Sequence, residues 1–168
     1  MNFTVYPDTW IRDLPLLTFG NGAYISNRST LGTNIAMASG HLLVDRVEVG
    51  DHALVGHLTM LAPGVRLGSR AEVAVGCAIG IGTTVGERAS VLPTCTLEHG
   101  VVISARAVIG TSSYVGSKAI VGEGVRLPPA TLLPRRAIVN TKAEVGSYLS
   151  SAIRAAAIES RQESLLDD

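Results

Sequence analysis

Four histidines and two cysteines are the side chains of this 168-residue chain best suited to acid–base or nucleophilic chemistry. A histidine with an exposed ring nitrogen serves as general base near neutral pH. A cysteine becomes a nucleophile only where it is accessible and has a base nearby. His57 and His99 are well separated along the chain, and Cys77 and Cys95 stand 18 apart. A second series at intervals of 18 is His52, Arg70, Arg88 and Arg106, a basic ladder suited to holding a phosphorylated ligand. Which of these groups can act depends on the element that carries them.

That element is written as a period of six. An apolar residue returns at Phe19, Ile25, Leu31, Met37, Leu43, Val49 and Val55, and so on to Val145, giving twenty-two consecutive hexapeptides. The second place is mostly glycine or another small residue, and the fifth is small or short-branched, as in Ala53, Thr59, Ala71 and Cys77. A fixed internal period outranks local propensity when a fold is inferred. Six residues make one short strand and a corner, three such units close a triangular coil, and residues 18 apart stack at a spacing of roughly 4.8 Å. The expectation is an all-β, left-handed parallel β-helix of about seven triangular coils, spanning 19–150 without interruption. Residues 1–18 break the period and are expected to cap the first coil, with Tyr6 and Trp10 over its open end. From about Ser147 the pattern turns helical, with Leu149, Ile153 and Ala156 or Ala157 on one face, and residues 151–168 are expected to form a C-terminal α-helix and tail.

Composition excludes several classes of function. Net charge is zero, which offers no footprint for nucleic acid or a membrane surface. No apolar run is long enough to cross a bilayer. Two cysteines without framework spacing fit a reducing, cytoplasmic setting.

Sorting the hexapeptides at intervals of 18 sharpens the reading. One face, taking 19–24, 37–42, 55–60 and onward to 145–150, contains no Asp, Glu, Lys or Arg. Charge depletion marks the centre of a protein interface, so this face is expected to bury itself in a homotrimer. His41, Thr59, Cys77, Cys95, Ser113 and Thr131 share the fifth, inward place on that face, which makes the cysteines fillers rather than nucleophiles. His57 and His99 take the third, outward place on different faces, roughly 10 Å apart along the axis, too far apart to share a metal. His57 is the leading candidate for general base, with His99 and His41 behind it. Arg70, Arg88 and Arg106 are candidates for coenzyme A, although Asp51, Glu72 and Glu87 interleave with them.

The pattern resembles the hexapeptide-repeat superfamily. Within it, Leu127-Pro-Pro-Ala-Thr-Leu-Leu-Pro134 and Ala137-Ile-Val-Asn-Thr-Lys-Ala-Glu144 resemble the closing segment of γ-class carbonic anhydrases. Val55-Gly-His-Leu-Thr-Met-Leu-Ala-Pro-Gly64 resembles that family's metal-binding coil, with His57 at one zinc-ligand position. The second ligand position holds Ala62, and the third falls near Leu42, one residue from His41, so the resemblance carries no zinc site and no metal is expected. The larger acyltransferase branch of the superfamily implies transfer of an acyl group from coenzyme A or a carrier thioester to a small hydroxyl or amine acceptor. It also implies a histidine base at a trimer interface. Sugar N-acetyltransferases of that branch have a turn comparable with Leu61-Ala-Pro-Gly64, but align Asp51 and Met60 with their histidines. The alternative reading is a non-catalytic assembly module or a degenerate relative of the carbonic anhydrases.

Overall fold

A computed structural model of the chain describes residues 2–148. It is a three-sided parallel β-helix. Three seven-stranded sheets run its length, and each strand is two or three residues long. Sheet I begins with Thr4–Val5 and ends with Arg126–Leu127; sheet II runs from Trp10–Ile11 to Leu132–Leu133; sheet III runs from Leu17–Phe19 to Ile138–Val139. The expected seven coils are present, but the chain is distributed among them differently.

From Val49 onward neighbouring strands pair at the expected offset of 18, as in Val55 with Val73 and Leu61 with Ile79. Above that point Phe19 pairs with Val49, Ile25 with Val55 and Leu31 with Leu61, an offset of 30. The extra twelve residues leave the coil as an antiparallel hairpin, Asn34–Ala36 against Leu42–Val44, with Ile35 opposite Leu43. Twelve is two hexapeptides, so the excursion preserves the period while breaking the coil. The expectation of an uninterrupted prism is corrected accordingly. The periodic residues confirm the boundary: Met37 is exposed and Leu43 half-buried, whereas the other periodic positions from Phe19 to Val145 lie buried.

The ends differ as well. Residues 4–19 contribute one strand to each sheet and form the first coil rather than a cap. A 3₁₀ turn at Leu14–Leu16 helps stretch this coil, so that Thr4 pairs with Tyr24 and Trp10 with Thr30 at an offset of 20. Tyr6 packs beside Tyr24 with ring centroids 5.1 Å apart, while Trp10 is exposed, so both lie along the side of the prism. At the other end the β-helix stops at Val139 and a helix begins at Lys142. Thr141 and Glu144 form a reciprocal capping box, in which Thr141 Oγ1 accepts from the Glu144 N–H and the Glu144 carboxylate accepts from the backbone N–H groups of Thr141 and Asn140. Val145 and Tyr148 of this helix pack on the last coil. The helix expected over 151–168 lies outside the described residues.

The core is a tube of Val, Ile, Leu and Ala, each large buried side chain contributing roughly 1.5–3 kcal/mol. At two of the three edges the corner is closed by backbone, with the fifth-place N–H donating to the second-place carbonyl, as Ala53 does to Gly50 and Ala71 to Gly68. At the edge between sheets I and II the fifth-place side chain bonds to the coil below. Ser29 Oγ donates to the Gly56 carbonyl, Thr59 Oγ1 to Ala74, Cys77 Sγ to Leu92, Cys95 Sγ to Gly110 and Ser113 Oγ to Pro128. The inward column of hydroxyls and thiols is thus a hydrogen-bond ladder satisfying buried carbonyls. The neighbouring Cys95 thiol, and after it burial, push Cys77 well above the ordinary thiol range, which keeps it a donor. Ser29, rather than His41, stands above Thr59 in this column, and above Ser29 stands Thr9, whose Oγ1 donates to the Ser26 carbonyl at 3.3 Å. His41 sits near the exposed end of the hairpin.

Candidate functional site

The edge between sheets I and II carries a histidine held by hydrogen bonds to the coil above. His57 follows the strand Leu54–Val55 in the third place of its repeat, where the chain turns outward before Leu58 enters the left-handed region at φ 56°. One coil above stands Asn27, delivered there by the offset of 30. His57 Nδ1 lies 2.9 Å from the Asn27 carbonyl oxygen and 2.8 Å from its side-chain Oδ1. Both partners are oxygens that accept, so Nδ1 carries the proton and donates. In the neutral ring that leaves Nε2 as the acceptor, the form a general base needs. His57 and Asn27 are both half-buried, so the pair is held yet reachable. The regular offset of 18 puts Ser39 above His57 instead, which is why the sequence alone does not reveal Asn27.

The register also redraws the uncharged face. Residues 19–24 and 37–42 do not belong to this edge. Residues 5–10 and 25–30 do, and they bring Asp8 and Arg28 to its top. Below them the five units from 55–60 to 127–132 remain free of Asp, Glu, Lys and Arg. Leu58, Met60 and Val75 stand exposed there. His57 thus sits where a charged top meets an apolar strip.

The other candidates do not join it. His99 turns outward at the edge between sheets II and III, and its Nδ1 accepts from the Ile81 N–H at 3.1 Å. Its neutral ring therefore carries the proton on Nε2, the opposite tautomer from His57. Arg70, Arg88 and Arg106 lie with His52 at the edge between sheets III and I. Arg88 pairs with Glu87 at 3.7 Å and Arg106 with Glu123, so two of the three already hold carboxylates. Among the described residues no three His, Cys, Asp or Glu side chains gather as a metal site requires, and no helix is long and apolar enough to cross a membrane.

A second feature carries no signature in the sequence. An apolar groove of about 360 Å³ runs down the outer face of sheet II, over Thr30, Met60, Ala78 and Thr96, with Ile35 of the hairpin at its margin. Among the described residues its one carboxylate is Glu98, which accepts from Ser117 Oγ, the Ser117 N–H and Tyr114 OH. These donors, with the Ser117 hydroxyl foremost, hold the Glu98 carboxyl at about 2, below its ordinary 4.5. The unfolded chain takes up this proton first as pH falls. The contribution is therefore whole above about pH 4.5 and lost on acidification towards pH 2. Thermal midpoints followed across this interval should fall more steeply for the wild type than for Glu98→Gln. Parallel curves would show that the bracket does not stabilise the fold.

Several solved structures share this fold. A histidine variant of perosamine N-acetyltransferase from Caulobacter crescentus, in complex with CoA and GDP-perosamine, superposes with a TM-score of 0.57 at 18% identity over 80% of this chain and 53% of that one. The acetyltransferase domain of PglB from Neisseria gonorrhoeae gives 0.61 at 12% identity over 75% and 54%. An inferred acetyltransferase from Bacillus cereus gives 0.53 at 15% identity over 96% and 90%. The chain spans about half the length of the first two. No family model matches the sequence, and no curated protein does. The protein therefore shares the fold of these structures.

Proposed function

We propose that this protein transfers an acyl group from coenzyme A or a carrier thioester to a small hydroxyl or amine acceptor, with His57 as general base. One observation carries the reading: the Nδ1 hydrogen bonds to Asn27 orient His57 so that, in the neutral ring, Nε2 is the acceptor on a half-exposed edge. Nε2 removes the proton from the acceptor as its oxygen or nitrogen attacks the thioester carbonyl. The C–S bond then breaks, the acyl group stays on the acceptor, and the leaving thiolate takes the proton back from the imidazolium. Asn27 stabilises the transient cation through Nδ1–H. The likeness in fold to proteins crystallised with CoA supports a thioester donor. The charge-free strip beside His57 supports a homotrimer closing over the site, where loss of water strengthens the polar contacts.

Thermal unfolding with acetyl-CoA and longer acyl-CoAs, together with thiol release against a panel of amine and hydroxyl acceptors, tests this. A donor at a hundredfold excess over its Kd should raise the midpoint by roughly 5–10 °C. No shift with any thioester and no thiol release would favour the assembly-module alternative.

A further inference from the structure

Among the described residues, the hairpin leaves most of its large apolar side chains exposed. Its base is firmly tied. Asp13 Oδ2 accepts from Thr33 Oγ1 at 2.8 Å and from Asn34 Nδ2 at 2.6 Å, and Arg12 Nη1 donates to Asn34 Oδ1 at 2.6 Å. The Arg12 guanidinium in turn lies 4.9 Å from the Trp10 ring centroid. Its turn is closed by Met37 N–H to the His41 carbonyl at 2.8 Å and Gly40 N–H to the Met37 carbonyl at 2.9 Å. Between these ends residues 33–44 contain no Asp, Glu, Lys or Arg, and Ile35, Met37, Leu42 and Val44 stand 41–62% exposed. A lone two-stranded hairpin is marginal in water, and clustered exposed apolar side chains mark a contact surface.

We propose that this arm seats on the edge between sheets I and II of a second copy, against Leu58, Met60 and Val75 and beside that copy's His57, so that each site is walled by two chains. Three observations select this occupant. First, polarity matches: the arm and the strip from Leu58 downward carry no Asp, Glu, Lys or Arg, with Arg28 only at its upper end directly above Leu58, whereas the edge between sheets III and I carries Arg70, Arg88 and Arg106 along its length. Second, the arm does not cover the strip of its own chain, since Leu58 and Met60 remain 55% and 49% exposed with the arm in place. Third, height matches. The arm leaves the second coil and Leu58 lies in the third, so in a ring with its axis along the prisms they differ by one strand spacing of roughly 4.8 Å. A contact between two different surfaces must close into a ring or grow without end, and level prisms allow closure.

The inference rests on the acyl-transfer reading only for the role of the covered site. Its test therefore begins without activity. In a Leu42→Cys, Leu58→Cys double variant a short bismaleimide should join chains into covalent multimers on a denaturing gel, while either single variant stays monomeric. Cys77 and Cys95 are buried and leave the background clear. Deleting residues 33–44 joins Gly32 to Asp45 in unbroken six-residue register, and this chain should lose the multimer to monomer by light scattering. Leu42→Lys with Val44→Lys should do the same without shortening the chain. Where transfer is measurable, mixing the arm-deleted chain with His57→Ala chains should restore activity that neither has alone. An uncrosslinked double variant, with multimers intact after both arm changes, overturns the proposal even if His57 proves essential. Crosslinking without any transfer activity would support the arm contact and sink the acyl-transfer reading instead.

Discussion

Replacing His57 with alanine is expected to lower kcat by about 10²–10⁴-fold, the usual contribution of a positioned general base. The thermal midpoint should move little. The ring is half-buried on an edge, outside the packed tube, and its loss removes hydrogen bonding worth roughly 0.5–1.5 kcal/mol net. Asn27 separates catalysis from mere packing. Asn27→Ala keeps the backbone carbonyl at 2.9 Å and should cost less than removing His57. Asn27→Asp puts a carboxylate against the ring and favours the imidazolium, so the ring stays protonated to higher pH. The acid limb of the kcat/KM profile should then move towards higher pH, with activity recovered on the alkaline side. A profile unchanged by Asn27→Asp, beside an inactive His57→Ala, would mean that Asn27 does not hold the working ring. Wild-type turnover in His57→Ala would remove the base assignment.

The β-helix is legible in the sequence because its core is one-dimensional. Each repeat buries the same two places, so the pattern of Ile25, Leu31 and Val49 gives coil size and strand direction directly. The site is only half legible, and the reason is arithmetic. An excursion of twelve residues carries Met37 and Leu43 at the right positions, so periodicity cannot distinguish hairpin from coil. Every stacking inference across it slips by two repeats. The slip assigns His41 to an inward column, separates Asn27 from His57 and leaves Arg28 off the edge it occupies. One signal in the sequence exposes it. Continuing the column upward from Thr59 at an offset of 30 gives Ser29 and an uninterrupted line of hydroxyls and thiols, whereas the regular offset of 18 gives His41. The groove on sheet II is not legible at all, since it depends on where the hairpin stands.

Gly110→Val is expected to be the most damaging single substitution in the lower coils, costing about 3 kcal/mol or more, the upper range of overpacking. Gly110 is buried in the second place at the edge between sheets I and II. A Cβ there would lie 2.4 Å from Pro128 C and Pro129 N, which are main-chain atoms of the coil below. Neither can swing aside as a side chain would, because both belong to a proline pair that carries the next corner. The Gly110 carbonyl also accepts from Cys95 Sγ at 3.0 Å, so displacing this strand would break the internal ladder. Gly82 gives the contrast. A Cβ there meets nothing within 4 Å, and the only penalty is its φ of +65°. Left-handed backbone costs an ordinary residue about 1–2 kcal/mol. The column below Gly82 already accepts Lys118 and Arg136 at φ 60° and 59°. Gly82→Ala should therefore unfold at a slightly lower urea midpoint than the wild type, and Gly110→Val far below both or not fold at all. In a solenoid each coil is stabilised mainly by its neighbours, so the Gly110 defect should part the sixth and seventh coils first. Early amide exchange at Tyr114 and Ala130 would report it, because their N–H groups donate across that junction to Thr131 and Thr111. Equal midpoints for the two variants would mean that neighbouring coils can separate without loss, and that strand spacing does not constrain the second place.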